Sequence, residues 1–209
     1  MQQSEYSFYN LGIVPRIMEI IKRLKFTSAY PIQHKTIPLA LEHKDLIGIA
    51  QTGTGKTLAF VIPIVQHLAQ NDECALVLVP TRELALQVNE SMVEIAHPFG
   101  IKTVVLIGGS PINRQVRTLA QNPRIIIATP GRLIDLIEQR KVRLNKVGIL
   151  VLDEADRMLD MGFQPQIERI LRSTPTDRQT LLFSATMPPS IIKITAAYMK
   201  FPVQVEVAP

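Results

Sequence analysis

The sequence predicts an α/β fold: a mostly parallel β-sheet of about seven strands with helices on both faces. Three observations lead there. Seven short apolar runs recur along the 209 residues, each ending in a polar or glycine-bearing turn. Stretches with helical spacing separate most of them. Most of the runs are apolar at successive positions, which suits strands covered on both sides. In such sheets ligands bind outside the carboxyl ends of the strands, so the residues just after each run are the ones to inspect.

In chain order the runs are LIGIA (46–50), ALVLVP (75–80), TVVLIGG (103–109), RIIIATP (124–130), GILVLDE (148–154), TLLFSAT (180–186) and VQVEV (203–207). After Thr81, Leu84, Val88, Met92 and Ala96 recur every four residues, widened by Ala85, Val93 and Ile95 into a helical stripe. Leu133, Ile134, Leu136 and Ile137 form a second stripe, and Ile167, Ile170 and Leu171 a third. Pro63 stands inside the helix expected after Lys56 and predicts a kink or an early stop. Neither an internal repeat nor an interior linker interrupts the pattern, so residues 1–209 are expected to form one domain.

Composition narrows the class. Hydrophobic residues make up 46% of the chain and charged ones 20%, enough for a sizeable core. Cys74 is the single cysteine, which excludes an internal disulfide framework and suits a reducing compartment. The polar start MQQSEYSFYN lacks a signal-peptide pattern, and LAFVIPIV (58–65) is far too short for a membrane span. A soluble, cytoplasmic protein without membrane contact is expected. The 23 Lys and Arg against 18 acids, net +5, lean toward a polyanionic partner, although many ordinary enzymes are this basic.

The turn after the first run reads AQTGTGKT (50–57). A strand, a glycine-bearing loop and a Lys-Thr pair opening a helix form a phosphate loop, with Ala50 in place of the usual first glycine. Gly53 and Gly55 free the backbone so that amide groups of Gln51, Thr52, Gly53, Thr54 and Gly55 face phosphate oxygens. The helix start adds partial positive charge. Lys56 reaches toward β- and γ-phosphates, and the Thr57 hydroxyl is a Mg²⁺ ligand candidate. Opposite it stand the acids of GILVLDEAD. Asp153 is the candidate to organise Mg²⁺, and Glu154 is the candidate to orient and deprotonate a water. An apolar run ending in acids is weak evidence alone, because helices often begin with Asp or Glu. Paired with a phosphate loop it is strong.

The set of motifs resembles the DEAD-box RNA helicases. Phe8 stands eighteen residues before Phe26, and FTSAYPIQ (26–33) is similar to that family's adenine-reading segment. AQTGTGKT (50–57), PTRELA (80–85), Gly108-Gly109, TPGR (129–132), DEAD (153–156) and SAT (184–186) follow in the family's order. Two positions depart from it: Lys25 replaces a common Gly and Tyr30 a common Thr.

The resemblance implies a RecA-like phosphate-loop domain, with 1–35 as adenine-reading segment and 36–209 as core. It implies ATP and Mg²⁺ as cofactors. Gln33 would pair with adenine, Phe8 would stack on the base, and Phe26 would belong to the same pocket. RNA would run over Pro80, Thr81, Arg82, Gly108, Gly109, Thr129, Pro130, Gly131 and Arg132. Thr129 and Pro130 also suit a helix cap and first turn, and Gly108-Gly109 also suits a plain turn. Ser184 and Thr186 would bond to Asp156 and couple nucleotide to RNA. Ser184 lacks a nucleophile-elbow context, which excludes a hydrolase triad. His34, His43, His67 and His97 lack metal-ligand spacing. The cluster RKVRLNK (140–146) suits a solvated loop, with RNA contact as the competing view.

The family works with two such domains, and a second is absent from these 209 residues. The chain is therefore expected to be the amino-terminal half of a monomeric ATP-dependent RNA helicase, with little activity by itself. Two other classes stay open: a non-catalytic binding module that keeps its pocket for structure, and a DNA-translocating ATPase. Gln33 and DEAD together disfavour the latter.

Overall fold

The computed structural model describes residues 6–51 and 55–208. Two helices, α1 (Pro15–Arg23) and α2 (Pro31–Leu41), precede the first strand. Strands and helices then alternate: β1 (Leu46–Ile49), α3 (Lys56–Gln70), β2 (Cys74–Leu78), α4 (Arg82–Ala96), β3 (Thr103–Leu106), α5 (Ile112–Leu119), β4 (Ile125–Ala128) and α6 (Pro130–Glu138). The series ends with β5 (Val147–Leu152), α7 (Ala155–Asp160), α8 (Gln164–Ser173), β6 (Gln179–Ser184), α9 (Pro189–Tyr198) and β7 (Val203–Glu206). Each of the seven apolar runs holds a strand.

The strands form one sheet in the order β3-β4-β2-β5-β6-β1-β7, and every adjacent pair is parallel. All the carboxyl ends therefore emerge on one edge. Side chains alternate between two apolar layers, as the pleat requires. Val77 and Val151 enter the layer beneath α1 to α4. Leu76, Leu78, Leu150 and Leu152 enter the layer beneath α6, α8 and α9. Fully buried Phe60 and Phe183 meet at 5.8 Å between ring centroids in the first layer.

Pro63 does not end its helix as expected. α3 continues to Gln70, because ten of its residues, Pro63 included, are buried and packing outweighs one missing hydrogen bond. The stripe after Thr81 needs one adjustment: Ala85, Val88, Met92, Ile95 and Ala96 are buried, whereas Val93 is 38% exposed.

Strand order divides the edge into two halves. The loops after β1, β6 and β5 are neighbours and carry the phosphate loop, SAT and DEAD. The loops after β2, β4 and β3 carry PTRELA, TPGR and the glycine doublet. The β2–β5 pair joins the halves, where the Asp153 amide donates to the Leu78 carbonyl at 2.9 Å.

Candidate nucleotide and RNA sites

Two buried polar atoms define the first half. Lys56 opens α3 and is 7% exposed, and its Nζ has no hydrogen-bond partner among the described residues. Asp153 leaves the end of β5, is 2% exposed, and its Oδ1 is equally without a partner. An unpaired buried charge is costly, so such atoms mark a place meant for a ligand. Burial pushes the Asp153 carboxyl up to about 6; the Lys56 charge opposes that rise and Glu154 adds to it. Thr57 follows Lys56 as the second residue of α3 and is partly buried. An anionic phosphate suits Lys56, and a hard cation with oxygen ligands suits Asp153 and Thr57. The residues present fit Mg²⁺ and a nucleotide.

Glu154 is 8% exposed and caps α7 in a left-handed backbone conformation, φ 52° and ψ 51°. A non-glycine residue held there marks strain that its surroundings maintain. Its Oε2 accepts from Arg157 Nη1 at 3.4 Å. Asp156, two residues on, serves a different loop. Its Oδ2 accepts from the Thr186 amide at 3.1 Å and from the Thr186 hydroxyl at 2.8 Å. The Ser184 hydroxyl accepts from the Asp156 amide at 3.2 Å and donates to the Thr186 carbonyl at 2.7 Å. The three residues named as a coupling set are thus brought together.

The segment FTSAYPIQ (26–33) is tied to Gly55, the residue before Lys56. The Gln33 amide is 3% exposed; its Nε2 donates to the Gly55 carbonyl at 2.7 Å and its Oε1 accepts from the Tyr30 amide at 2.9 Å. Gly55 has φ 78°, and a Cβ there would stand 2.3 Å from the Tyr30 ring. Tyr30 thus lies against the loop, a contact that sequence reasoning missed because a Thr was the expected residue. Lys25, where Gly was expected, takes φ 64°. The turn is kept, and a lysine bears the left-handed conformation.

One expectation is corrected. Phe8 was expected to stack on a base, but it is 4% exposed and packed within the first apolar layer, so its ring has no free face. Phe26 is 41% exposed and leaves its ring accessible to a planar ligand. Gln51 is exposed beside the loop. Thr52, Gly53 and Thr54 lie outside the described residues.

The second half gathers three loops. Thr81 caps α4, its hydroxyl accepting from the Leu84 amide at 3.2 Å, and the preceding Pro80 is buried. Arg82 is exposed, and its guanidinium lies where Gly109 (φ 75°) leaves room: a Cβ there would stand 2.2 Å from Arg82 Nη1. Gly109 therefore serves Arg82 directly, while Gly108 and Gly131 face open space. Thr129 is the N-cap of α6 with Pro130 at its first turn, yet its hydroxyl makes no cap bond. Arg132 points inward, its Nη1 donating to the Ser110 carbonyl and to Gln115 Oε1, both at 3.1 Å. Gln115 Nε2 donates in turn to the Ile107 carbonyl at 2.9 Å. Gln115 went unnoticed in the sequence, although a polar residue on the core-facing side of α5 was a visible signal.

Comparison with known proteins agrees with this arrangement. The model of the family described as DEAD/DEAH box helicase matches residues 30–194. The ATP-dependent RNA helicase CshA of Listeria monocytogenes is 49% identical over 197 residues, covering 93% of this chain and 38% of that protein. A DEAD box protein from Methanococcus jannaschii superposes with a TM-score of 0.90 at 36% identity, covering 96% of this chain and 55% of that one. The yeast DEAD-box splicing factor Prp28 gives 0.92 at 37% identity, covering 97% and 51%. The chain spans about two fifths of that curated relative and about half of each structural neighbour. A phosphate loop, a DEAD strand end and a SAT loop on one parallel sheet, matched over most of the chain, place it in the DEAD/DEAH box helicase family.

Proposed function

We propose that residues 1–209 are the amino-terminal RecA-like half of an ATP-dependent RNA helicase, with residues 1–35 reading adenine and residues 36–209 forming the phosphate-loop core. The observation that carries this reading is the pair of buried, unpartnered, oppositely charged atoms, Lys56 Nζ and Asp153 Oδ1, at the carboxyl ends of β1 and β5. Lys56 binds the β- and γ-phosphates, helped by loop amides from Gln51 to Gly55. Thr57 and Asp153 would hold Mg²⁺, which would supply positive charge against the phosphate oxygens. Glu154 orients a water toward the γ-phosphorus and takes its proton as the new P–O bond forms and the bond to the β-phosphate oxygen breaks. Phe26 stacks on the base. Gln33 reads the adenine edge from its place beside Gly55.

RNA passes over Pro80, Thr81, Arg82, Gly108, Gly109, Thr129, Pro130, Gly131 and Arg132, held through its phosphates by the starts of α4 and α6 and by Arg82. Asp156, Ser184 and Thr186 transmit the nucleotide state. A second domain in the longer parent protein supplies the arginines that stabilise the transferring phosphate. A monomer in a reducing compartment such as the cytoplasm fits the single Cys74.

Glu154→Gln in the protein carrying both domains tests the reading. ATP binding should persist while RNA-stimulated phosphate release disappears. Unchanged release, or strong RNA-dependent hydrolysis by the 209-residue chain alone, contradicts it.

A further inference from the structure

Gln115 is the buried residue of α5, 5% exposed on a helix whose other positions are exposed or partly buried. Leucine or methionine would fill that volume, so packing does not call for an amide. A buried amide is tolerated only where its hydrogen bonds are made, and here both ends are used. Nε2 holds the Ile107 carbonyl just beyond β3, and Oε1 receives Arg132 Nη1 from the first turn of α6. Arg132 closes the ring by donating to the Ser110 carbonyl. The amide thus holds one end of the loop 107–110 at Ile107 and the start of α6 at Arg132, and Arg132 holds the other end of the loop at Ser110. That loop contains Gly109, on which the Arg82 guanidinium rests. Among the described residues, Arg132 Nε and Nη2 have no hydrogen-bond partner, so those donors stay available to a phosphate while Nη1 is held.

We propose that Gln115 is a positioning residue for RNA. By joining Ile107 to Arg132, which itself holds Ser110, it sets the spacing between the phosphate-contacting segments after β2, β3 and β4. This rests on the reading of that half of the edge as an RNA surface. A hydrogen-bonded polar network rigidifies its surroundings, whereas an apolar replacement leaves two partners, the Ile107 carbonyl and Arg132 Nη1, without the Gln115 amide.

The test uses the whole chain, a labelled oligouridylate read by fluorescence anisotropy at low salt, and a fluorescent ADP analogue as the second readout. Gln115→Met keeps volume and loses both bonds. Its RNA affinity should fall roughly 10-fold, the size expected within one hydrogen-bond network, with ADP-analogue affinity within about twofold of the parent. Gln115→Glu keeps the acceptor for Arg132 and should recover part of the loss. Combined with Arg132→Met, Gln115→Met should add little, because both act through one contact. Wild-type RNA affinity in Gln115→Met, with Arg82→Ala weakened, overturns the role of Gln115 and leaves the RNA surface standing. Wild-type affinity in both variants, or no RNA binding by the parent chain, overturns the RNA surface and this inference with it. Equal loss of RNA and ADP-analogue affinity in Gln115→Met marks a general folding defect and also overturns it.

Discussion

Asp156 and Thr186 are joined twice through one carboxylate oxygen, Oδ2, which accepts from the Thr186 amide at 3.1 Å and from its hydroxyl at 2.8 Å. The bond ties the loop after β6 to the first turn of α7, two positions beyond Glu154. Thr186→Val removes the hydroxyl and keeps the shape. The pair is exposed, so stability should change by no more than about 1 kcal/mol. In the protein carrying both domains, ATP turnover should survive while its stimulation by RNA and strand separation fall together. Full RNA stimulation in this variant would detach the pair from coupling.

Asp153 makes stability depend on pH. Its carboxyl is raised from 3.8 to about 6 by burial. Between those values the folded chain holds the proton more tightly than the unfolded chain, so stability falls as pH rises through the window. The full swing is at most about 3 kcal/mol. Asp153→Asn should therefore melt higher than the parent at pH 8 without nucleotide, the difference vanishing below pH 4. The same variant should lose the Mg²⁺-dependent part of nucleotide stabilisation. Thermal melts from pH 3.5 to 8, with and without Mg²⁺–ADP, check both, and a lower melting point at pH 8 refutes the first.

Phe8 and Phe26 should separate cleanly. Truncating buried Phe8 to Ala should cost about 3–5 kcal/mol of stability. Phe26→Ala, at an exposed ring, should leave stability within about 0.5 kcal/mol and weaken nucleotide binding. Denaturant titration beside nucleotide titration distinguishes the two. Equal effects on binding at matched stability would restore Phe8 to the base pocket.

Gly109→Ala combines a left-handed backbone with a Cβ placed on Arg82. The expected cost is roughly 1–2 kcal/mol, with weaker RNA binding because Arg82 must move. The companion change Gly108→Ala, facing open space, should be mild in both respects.

Lys25→Gly is the opposite case. Lysine holds φ 64° in the turn before Phe26, and glycine relieves that strain. A gain of about 1 kcal/mol is expected. A loss would mean that the lysine side chain contributes something its backbone does not reveal.

Most of the strands were legible because they are buried on both faces and read as apolar runs, as β1, β4 and β6 do, whereas edge strand β7 alternates partly buried with exposed residues. Their carboxyl-end residues were legible because parallel topology forces ligand chemistry to that edge. Pro63 did not stop α3, since helix propensity is local while the burial of α3 is tertiary. Phe8 misled for a related reason: an aromatic near a terminus looks the same in sequence whether it meets a ligand or a core. The roles of Gln33 toward Gly55 and of Gly109 toward Arg82 depend on contacts 22 and 27 residues apart, which a single sequence does not display.

The burial of Phe8 also bears on how this domain comes apart. Its ring lies in the same apolar layer as Ile32 and Phe60, so the segment from Phe8 to Gln33 is no detachable arm laid on a finished core. It should melt in the same cooperative step as the sheet, its amides exchanging with solvent at the rate set by global opening. A protease should find no early cut between residues 12 and 30. A version of the chain begun after residue 11 would give up part of that layer as well as a stretch of polypeptide.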